Sequence, residues 1–453
     1  MHCFNIIARC TAAFLLLVPV LAQGQAPQGS GSPYSAYGLG EFVGSTQVSQ
    51  ATMGGLGVAV NDPVSVVSMN PASYAGLRVT CFETGLVLRN SKYSTSTTSG
   101  AGRRVDLMGF SLGVPFGRGK YGMALGVNPV SKVGYNITDA QPLPGSADGV
   151  TNAYTGEGGL NKAFLGVAWN VVNKRDTLNN GKRLAIGANV GYLFGRVEES
   201  RETIYPSNSG YYNTSAVSSL IMRDVTGNVG VQLQGDLRKH MERGDNALHY
   251  MAGASAELPT NLRARRTEMV TSFGLSSSGV AFPFDTLSST EGSRSVLKLP
   301  IGIGAGFTIF DRHWSVSAEV KFRDWRNLRI NEGTGPNNDL AQSMVYALGA
   351  SWRPAGEIGG TFLERSIYRL GVRYNNDYLV VGGKQLNEIG MSFGISLPVM
   401  GSSTRSRLNL GAELGNRGTT ESGLVQERYA AVFIGVTITP DFREQWFKKR
   451  RIE

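Results

Sequence analysis

Three cysteines in 453 residues are too few for a disulfide framework, and two of them, Cys3 and Cys10, lie at the extreme N-terminus. Cys81 is left alone; a single thiol forms no internal disulfide and no metal site, so it reads as a small apolar strand residue. Charge is scarce too. Only 17% of residues are Asp, Glu, Lys or Arg, against about 25% in soluble domains, which excludes a coiled coil and a charged disordered tail. No long apolar run follows the first one, which excludes a bundle of membrane helices. The formal charge of +10 makes no nucleic-acid face, because the basic residues fall in turns and in the C-terminal tail. Reactive groups are equally thin. His240, His249 and His313 have no metal-ligand spacing, and no nucleophile elbow with triad partners occurs. The run Gly113-Val114-Pro115-Phe116-Gly117-Arg118-Gly119-Lys120 fails as a phosphate loop, since its spacing is wrong and Tyr121 replaces the Ser/Thr that would hold magnesium. It reads as a hairpin turn. No catalytic residue, metal or cofactor is expected, and the chain is not expected to be an enzyme.

What the chain has in abundance is glycine, at 59 positions, and short segments with apolar side chains at every second place. Period two means strand. Trp314, Val316, Ala318, Val320 and Phe322 oppose Ser315, Ser317, Glu319, Lys321 and Arg323; Leu299, Ile301, Ile303, Ala305, Phe307 and Ile309 oppose Lys298, Pro300, Gly302, Gly304, Gly306 and Thr308. Fourteen such segments run from about residue 79 to 438, an even number as closed antiparallel barrels require. Short connections such as Pro115–Lys120, Asp311–His313 and Val399–Thr404 alternate with long ones at Thr138–Gly159, Arg201–Val217 and Asn261–Ser293. This is the asymmetry between periplasmic turns and external loops of an outer-membrane barrel. Aromatic residues gather at segment ends, as at Phe116, Phe194, Trp352, Tyr374 and Phe442, where interfacial girdles belong. The fold class is therefore all-β: a 14-stranded antiparallel transmembrane β-barrel.

The ends differ from the middle. Arg9, the apolar stretch Ala12–Leu21 and the small residues up to Ala26 have the order of a secretory signal peptide. Residues 1–26 are expected to be that signal, 27–78 a plug, 79–440 the barrel and 441–453 a basic periplasmic tail. The plug segment is too short to bury a core of its own, so its expected home is the lumen. Asp62-Pro63 is expected to start a short helix that Asn70-Pro71-Ala72 stops.

The run Gly55-Leu56-Gly57-Val58-Ala59-Val60-Asn61-Asp62 ahead of Asn70-Pro71-Ala72 resembles the N-terminal hatch of the FadL-type long-chain fatty-acid transporters. Ser32-Pro33-Tyr34 with Tyr37-Gly38-Leu39-Gly40, Leu299–Gly304, Tyr368–Tyr374, Gly411–Thr419 and the ending Trp446–Arg450 are similar to a Bacteroidetes-type subgroup of that family. The likeness covers nearly the whole mature chain. One departure is that Trp446-Phe447 is followed by basic residues, whereas outer-membrane proteins ordinarily end on an aromatic one. The resemblance implies an integral protein of the Gram-negative outer membrane, reached by secretion across the inner membrane. Its implied function is passive uptake of hydrophobic or amphipathic small molecules through a plugged barrel. The alternative it implies is a non-transporting accessory barrel that docks other envelope proteins, such as secretion or barrel-assembly machinery. Expected partners are accordingly outer-membrane lipid, a hydrophobic ligand or envelope proteins, with no nucleic acid.

By strand parity Glu83, Arg89, Glu257, Lys298, Glu319, Lys321, Arg323, Arg369, Arg373, Glu388, Glu413 and Glu427 point into the lumen. Two readings stand beside each other. Either these charges pair with one another and hold the plug, since unpaired charge away from water is costly, or Lys321, Arg323 or Arg373, with Glu319 and Glu413 nearby, receives a ligand carboxylate. An apolar ligand site would be lined by Leu56, Val58, Val64, Val67 and Met69 of the plug beside Asn70, Pro71 and Ala72, with Phe433 from the last strand.

Overall fold

A computed structural model describes residues 31–440 except 45–46, 144–148, 174–180, 207–208, 239–246, 277–279, 327, 329–339, 356–359 and 400–403. The expected signal peptide and the tail, with Phe442 and Trp446-Phe447, lie outside the described residues. The wall is built from β2 (Cys81–Ser94), β3 (Ser99–Phe116), β4 (Tyr121–Pro142), β5 (Gly149–Asn173), β6 (Arg183–Ile204), β7 (Asn213–Arg238), β8 (Leu248–Glu257), β9 (Thr260–Leu275), β10 (Ala281–Leu299), β11 (Gly302–Phe310), β12 (Trp314–Asp324), β13 (Gln342–Trp352), β14 (Ile367–Val381), β15 (Lys384–Pro398), β16 (Arg407–Arg417) and β17 (Gln426–Ile438). A further short strand, β1 (Glu41–Phe42), belongs to the N-terminal segment and pairs with β4.

β8 and β9 run one after the other along β7, and β10 and β11 return beside them, so each pair forms a single stave. Fourteen staves result. β17 pairs with β2 and closes the cylinder, so the hydrogen bonds of the wall are satisfied all round. The outward faces are apolar and exposed: Ile303, Phe307, Val316, Val320, Leu348, Leu370, Phe393 and Val432 all project from the wall. The girdle residues Phe116, Phe194, Trp352 and Tyr374 are exposed at the edges of this belt. Such a belt is stable only against hydrocarbon, so the molecule is an outer-membrane β-barrel. No helix among the described residues is long and apolar enough to cross a membrane.

Three details differ from the sequence reading. The segments expected as long external loops are largely strand: β4 and β5 pair out to Pro142 and Gly149, and β9 and β10 pair from Thr260 and Leu299 to Leu275 and Ala281. Above the membrane both faces of a hairpin meet water, so the alternation that marks a strand disappears from the sequence. Lys298 is exposed while Leu297 is buried, because the stave breaks at Pro300-Ile301 between β10 and β11 and the parity of β11 does not carry across. The N-terminal helix is also shifted. Asp62 accepts a hydrogen bond from Val64 N–H (3.0 Å), but only turns follow, because Val66 N–H is given to the wall carboxylate of Glu83 (2.7 Å). The helical turn lies instead at Pro71–Gly76, with Asn70 as its cap and Pro71 at its first position.

The glycines explain how a segment of some fifty residues fits inside. A Cβ at Gly371 of β14 would stand 2.1 Å from Gly54 N, so the wall there must be bare backbone. Cys81 is fully buried opposite Gly113, packed with Val66, Ala72, Tyr74 and Leu77.

Candidate functional site in the lumen

The N-terminal segment, hereafter the hatch, crosses the lumen and is fixed by wall side chains that replace the hydrogen bonds it lacks. The clearest case is Glu319 on the inner face of β12. Its carboxylate accepts from three successive backbone N–H groups, Gly57 (2.9 Å), Val58 (2.6 Å) and Ala59 (3.0 Å). Consecutive amides aimed at one point form an anion-binding concavity. Thr308 of β11 donates to Ala59 C=O (2.7 Å), and Gln232 of β7 donates to the carbonyls of Val58 and Val60. Lys321, two residues from Glu319, donates to Gly55 C=O (2.7 Å) and stands 3.8 Å from the Glu319 carboxylate.

Asn70 is completely buried. Its side-chain oxygen accepts from Ala72 N–H (3.1 Å), while its amide donates to Val58 C=O (2.7 Å) and to the wall carbonyls of Val231 and Ala254. One side chain thus caps a helical turn and ties two hatch segments to β7 and β8. Pro71, Ala72, Leu56, Val58 and Val67 are buried beside it, and Met69 offers its sulfur to Lys321 at 3.2 Å. Phe433 packs with Val48, Ala51 and Met108. These residues come together as the packed body of the hatch.

Toward the end of the barrel that carries the long hairpins lies a layer of ion pairs. Glu41 of β1 meets Arg89 (2.6 Å), Arg104 (3.3 Å) and Arg417 (3.7 Å). Burial alone would raise the Glu41 carboxyl, but the three guanidinium groups hold it well below the usual carboxylate range. Arg417 also pairs with Asp377. Arg373 bridges Glu388 and Glu413, both at 2.8 Å, and Tyr429 donates to the same two carboxylates. Arg323 pairs with Glu257, which Lys162 also reaches at 3.2 Å. The three cations singled out as receivers of a ligand carboxylate, Lys321, Arg323 and Arg373, therefore each face a carboxylate or the hatch.

Glu41 itself was not read from the sequence as a hub. The signal was available: residues 27–78 contain two acids, Glu41 and Asp62, and Asp62 in turn meets Arg407 at 3.2 Å. A nearly uncharged hatch places its two acids against cations of the wall.

Over the ion pairs sits an apolar layer. Tyr34, Leu39, Tyr135, Leu160, Leu193, Met222, Leu262, Leu297, Trp325, Tyr378, Leu379 and Leu386 form one buried cluster. At its centre the ring of Phe42 lies 4.6 Å from Trp325 and 5.3 Å from Tyr378. A cavity of about 10 Å³ between Ser32, Glu41, Arg89 and Glu427 is room for a single water.

Among the described residues the wall is open laterally between β3 and β4. β3 and β4 pair only from Phe110–Val127 to Phe116–Tyr121, at the short-turn end. Beyond Gly109, whose φ is +100° and where a Cβ would stand 2.5 Å from Val127 O, β3 pairs with β2 alone. An opening of about 410 Å³ follows, bordered by Asp106, Gly109, Lys132 and Gly159. Lys132–Asp106 (3.1 Å) spans it, Arg104 of β3 holds the same Asp106 at 2.6 Å, and β1 backs it from inside.

A family model described as BamG matches residues 6–453. No protein of curated function matches the chain in sequence. Among solved structures, the toluene transporter TbuX of Ralstonia pickettii is similar over 87% of this chain and 98% of its own, at 14% identity and a TM-score of 0.55. The CymD monoaromatic hydrocarbon channel covers 88% and 99%, at 13% identity and a TM-score of 0.53. A FadL homologue of Pseudomonas aeruginosa covers 89% and 99%, at 12% and 0.50. At these identities the likeness establishes the fold: a FadL-type hatched barrel.

Proposed function

We propose, because the chain belongs to the BamG family, that it works as a non-transporting accessory barrel that docks other envelope proteins of the assembly machinery in the outer membrane. The observation that carries this reading is the state of the lumen. Glu319, Asn70, Gln232 and Thr308 fasten the hatch to the wall, each cation named as a ligand partner is already engaged, and an apolar cluster occupies the mouth. A route for solutes would have to break many of these contacts at once. The family's designation is itself an assembly-related one. The barrel then serves as a rigid, membrane-embedded platform whose long hairpins and tail reach other proteins.

A second reading, passive uptake of hydrophobic molecules, has its own support in the lateral opening between β3 and β4 and in the fold shared with hydrocarbon channels. An amphiphile leaving through that opening would pass Lys132 and Asp106. One depletion experiment separates the two. In cells depleted of the protein, the folded fraction of unrelated outer-membrane barrels, read by heat-modifiable migration at fixed synthesis, is expected to fall, while uptake of a labelled long-chain amphiphile is unchanged. Normal barrel folding with reduced uptake would reject the accessory reading in favour of the channel. Asp106→Cys/Lys132→Cys, bridged by a short bismaleimide, is expected to restore barrel folding fully; a channel would be blocked.

A further inference from the structure

The outer surface carries a cluster of cations that the lumen does not use. On β6 the outward residues Leu184, Ile186, Ala188, Val190, Tyr192 and Phe194 form the apolar belt. Ten residues of tilted strand climb roughly 25 Å, the height of the lipid-facing band of such a barrel. Arg196 is the next outward residue, immediately beyond it. Register carries the same level onto the neighbouring strands. Phe194 pairs with Arg223 of β7, Arg223 pairs with Arg263 of β9, and Arg265 on β9 pairs with Arg294 of β10. Lys298 lies on the same outward face of β10, where the broken stave turned it away from the lumen. All six side chains are exposed.

Opposing charge is sparse. Glu198 pairs with Arg196, and Asp224 accepts from Arg263 at 3.0 Å. Among the described residues no carboxylate lies within salt-bridge distance of Arg223, Arg265, Arg294 or Lys298. All four strands continue well beyond this level on the long-hairpin side, so the cluster stands at the outer rim of the membrane. Arg223 stands level with Phe194 and one outward step above Val225, Arg294 one outward step above Val296, and Lys298 one step below Val296 at the apolar edge. Uncompensated cations placed along the upper edge of exposed Phe194, Val225 and Val296 fit an amphiphile with acyl chains below and an anionic head above. A soluble acidic protein would have no use for the apolar half of this surface.

We infer that the outward face of β6, β7, β9 and β10 is a binding surface for the phosphorylated headgroup of a glycolipid of the outer leaflet, held by Arg223, Arg265, Arg294 and Lys298 with its chains along the belt below. Cations near a charged lipid surface attract independently of detailed geometry, and the attraction falls with salt. The surface does not depend on whether the lumen conducts.

The test uses the whole protein in detergent with purified lipopolysaccharide, with the same material enzymatically dephosphorylated, and with inorganic phosphate as competitor. Native mass spectrometry and thermophoresis read the bound fraction. Arg223→Gln/Arg265→Gln/Arg294→Gln/Lys298→Gln is expected to weaken binding at least tenfold. Dephosphorylation is expected to weaken binding to the wild type as much, and free phosphate at millimolar levels to compete little. The charge-preserving variant with Lys at the three arginine positions should retain binding within about threefold, which separates charge from fold. Heat-modifiable migration confirms that each variant is a closed barrel. Equal binding by wild type and Gln variant, or full displacement by free phosphate, would overturn the proposal. So would binding of dephosphorylated lipid as strong as that of the intact one.

Discussion

Glu319 shows how one side chain can carry a structural element. Its carboxylate satisfies three amides of the hatch and balances Lys321, and its side chain is fully buried. Glu319→Ala leaves three donors and a cation without their partner; removal of one member of a buried pair costs about 3–5 kcal/mol. We expect the barrel to close normally while proteases gain access to the hatch at Gly54–Val60, read by limited digestion and mass spectrometry. Glu319→Gln, which keeps an acceptor, should be milder. Glu41 gives a dependence on pH. Its carboxyl is held low by three arginines, so the ionised form stabilises the fold. A depressed folded value means that this stabilisation is present above the unfolded value of about 4.3 and is lost as pH falls through the folded one. Glu41→Gln should therefore lower the thermal midpoint equally at pH 7 and pH 5, with a gap that shrinks only in more acid solution. A gap that closed between pH 7 and pH 5 would contradict the triple pairing. These roles were only half legible. Parity placed Glu319, Lys321 and Arg373 inside, but which backbone they grip depends on a hatch path that no periodicity encodes.

At the scale of the element, alternation told most of the story. Inward and outward residues of β11 and β12 fall as the period-two pattern requires, with Ile303 and Phe307 exposed and Gly302 and Gly304 buried. Ile303→Arg places a charge in the middle of the lipid-facing wall and should cost roughly 2–4 kcal/mol, seen as loss of the heat-modifiable folded band. Gly302→Arg is a different lesion, since its side chain would meet Arg323 in the lumen. Alternation failed where its cause was missing: above the membrane, where both faces are wet, and at Pro300-Ile301, where the stave is broken. It failed in the hatch for another reason. Asn70-Pro71-Ala72 carries the marks of a helix start as well as a helix stop, and burial of Asn70 among wall carbonyls decided for the start. Asn70→Ala removes the cap, worth about 0.5–2 kcal/mol, and three further donations besides, so its effect on hatch stability should exceed that of an ordinary cap. Single cysteines at Thr151 or Arg265 should react with an impermeant reagent on whole cells, whereas one in the turn between β5 and β6 should not.

For the whole molecule, the question is whether the hatch gates a path or completes a solid body. A closed wall satisfies its own backbone hydrogen bonds, so a barrel lacking residues 33–76 should still insert. Its lumen, however, would lose the partners of Glu319, Glu83, Gln232 and Thr308, and Arg89, Arg104 and Arg417 would lose Glu41. Three like charges left near one another repel, and the freed space admits water. The deleted barrel should thus conduct small polar solutes, measured as swelling of liposomes carrying it in small sugars, while an intact barrel does not. In the accessory reading, assembly of other barrels depends on surfaces of the hairpins and wall, and matched surface levels of the deleted protein should still support it. A channel that uses its hatch for selection would instead lose discrimination among amphiphiles with no change in barrel assembly. The two outcomes are read in the same cells, one by the folded fraction of unrelated barrels and the other by labelled uptake. If the deletion abolished assembly yet left the wall intact, the docking surface would have to include the hatch itself, reached from the short-turn end where Arg78 and the Asp62–Arg407 pair lie.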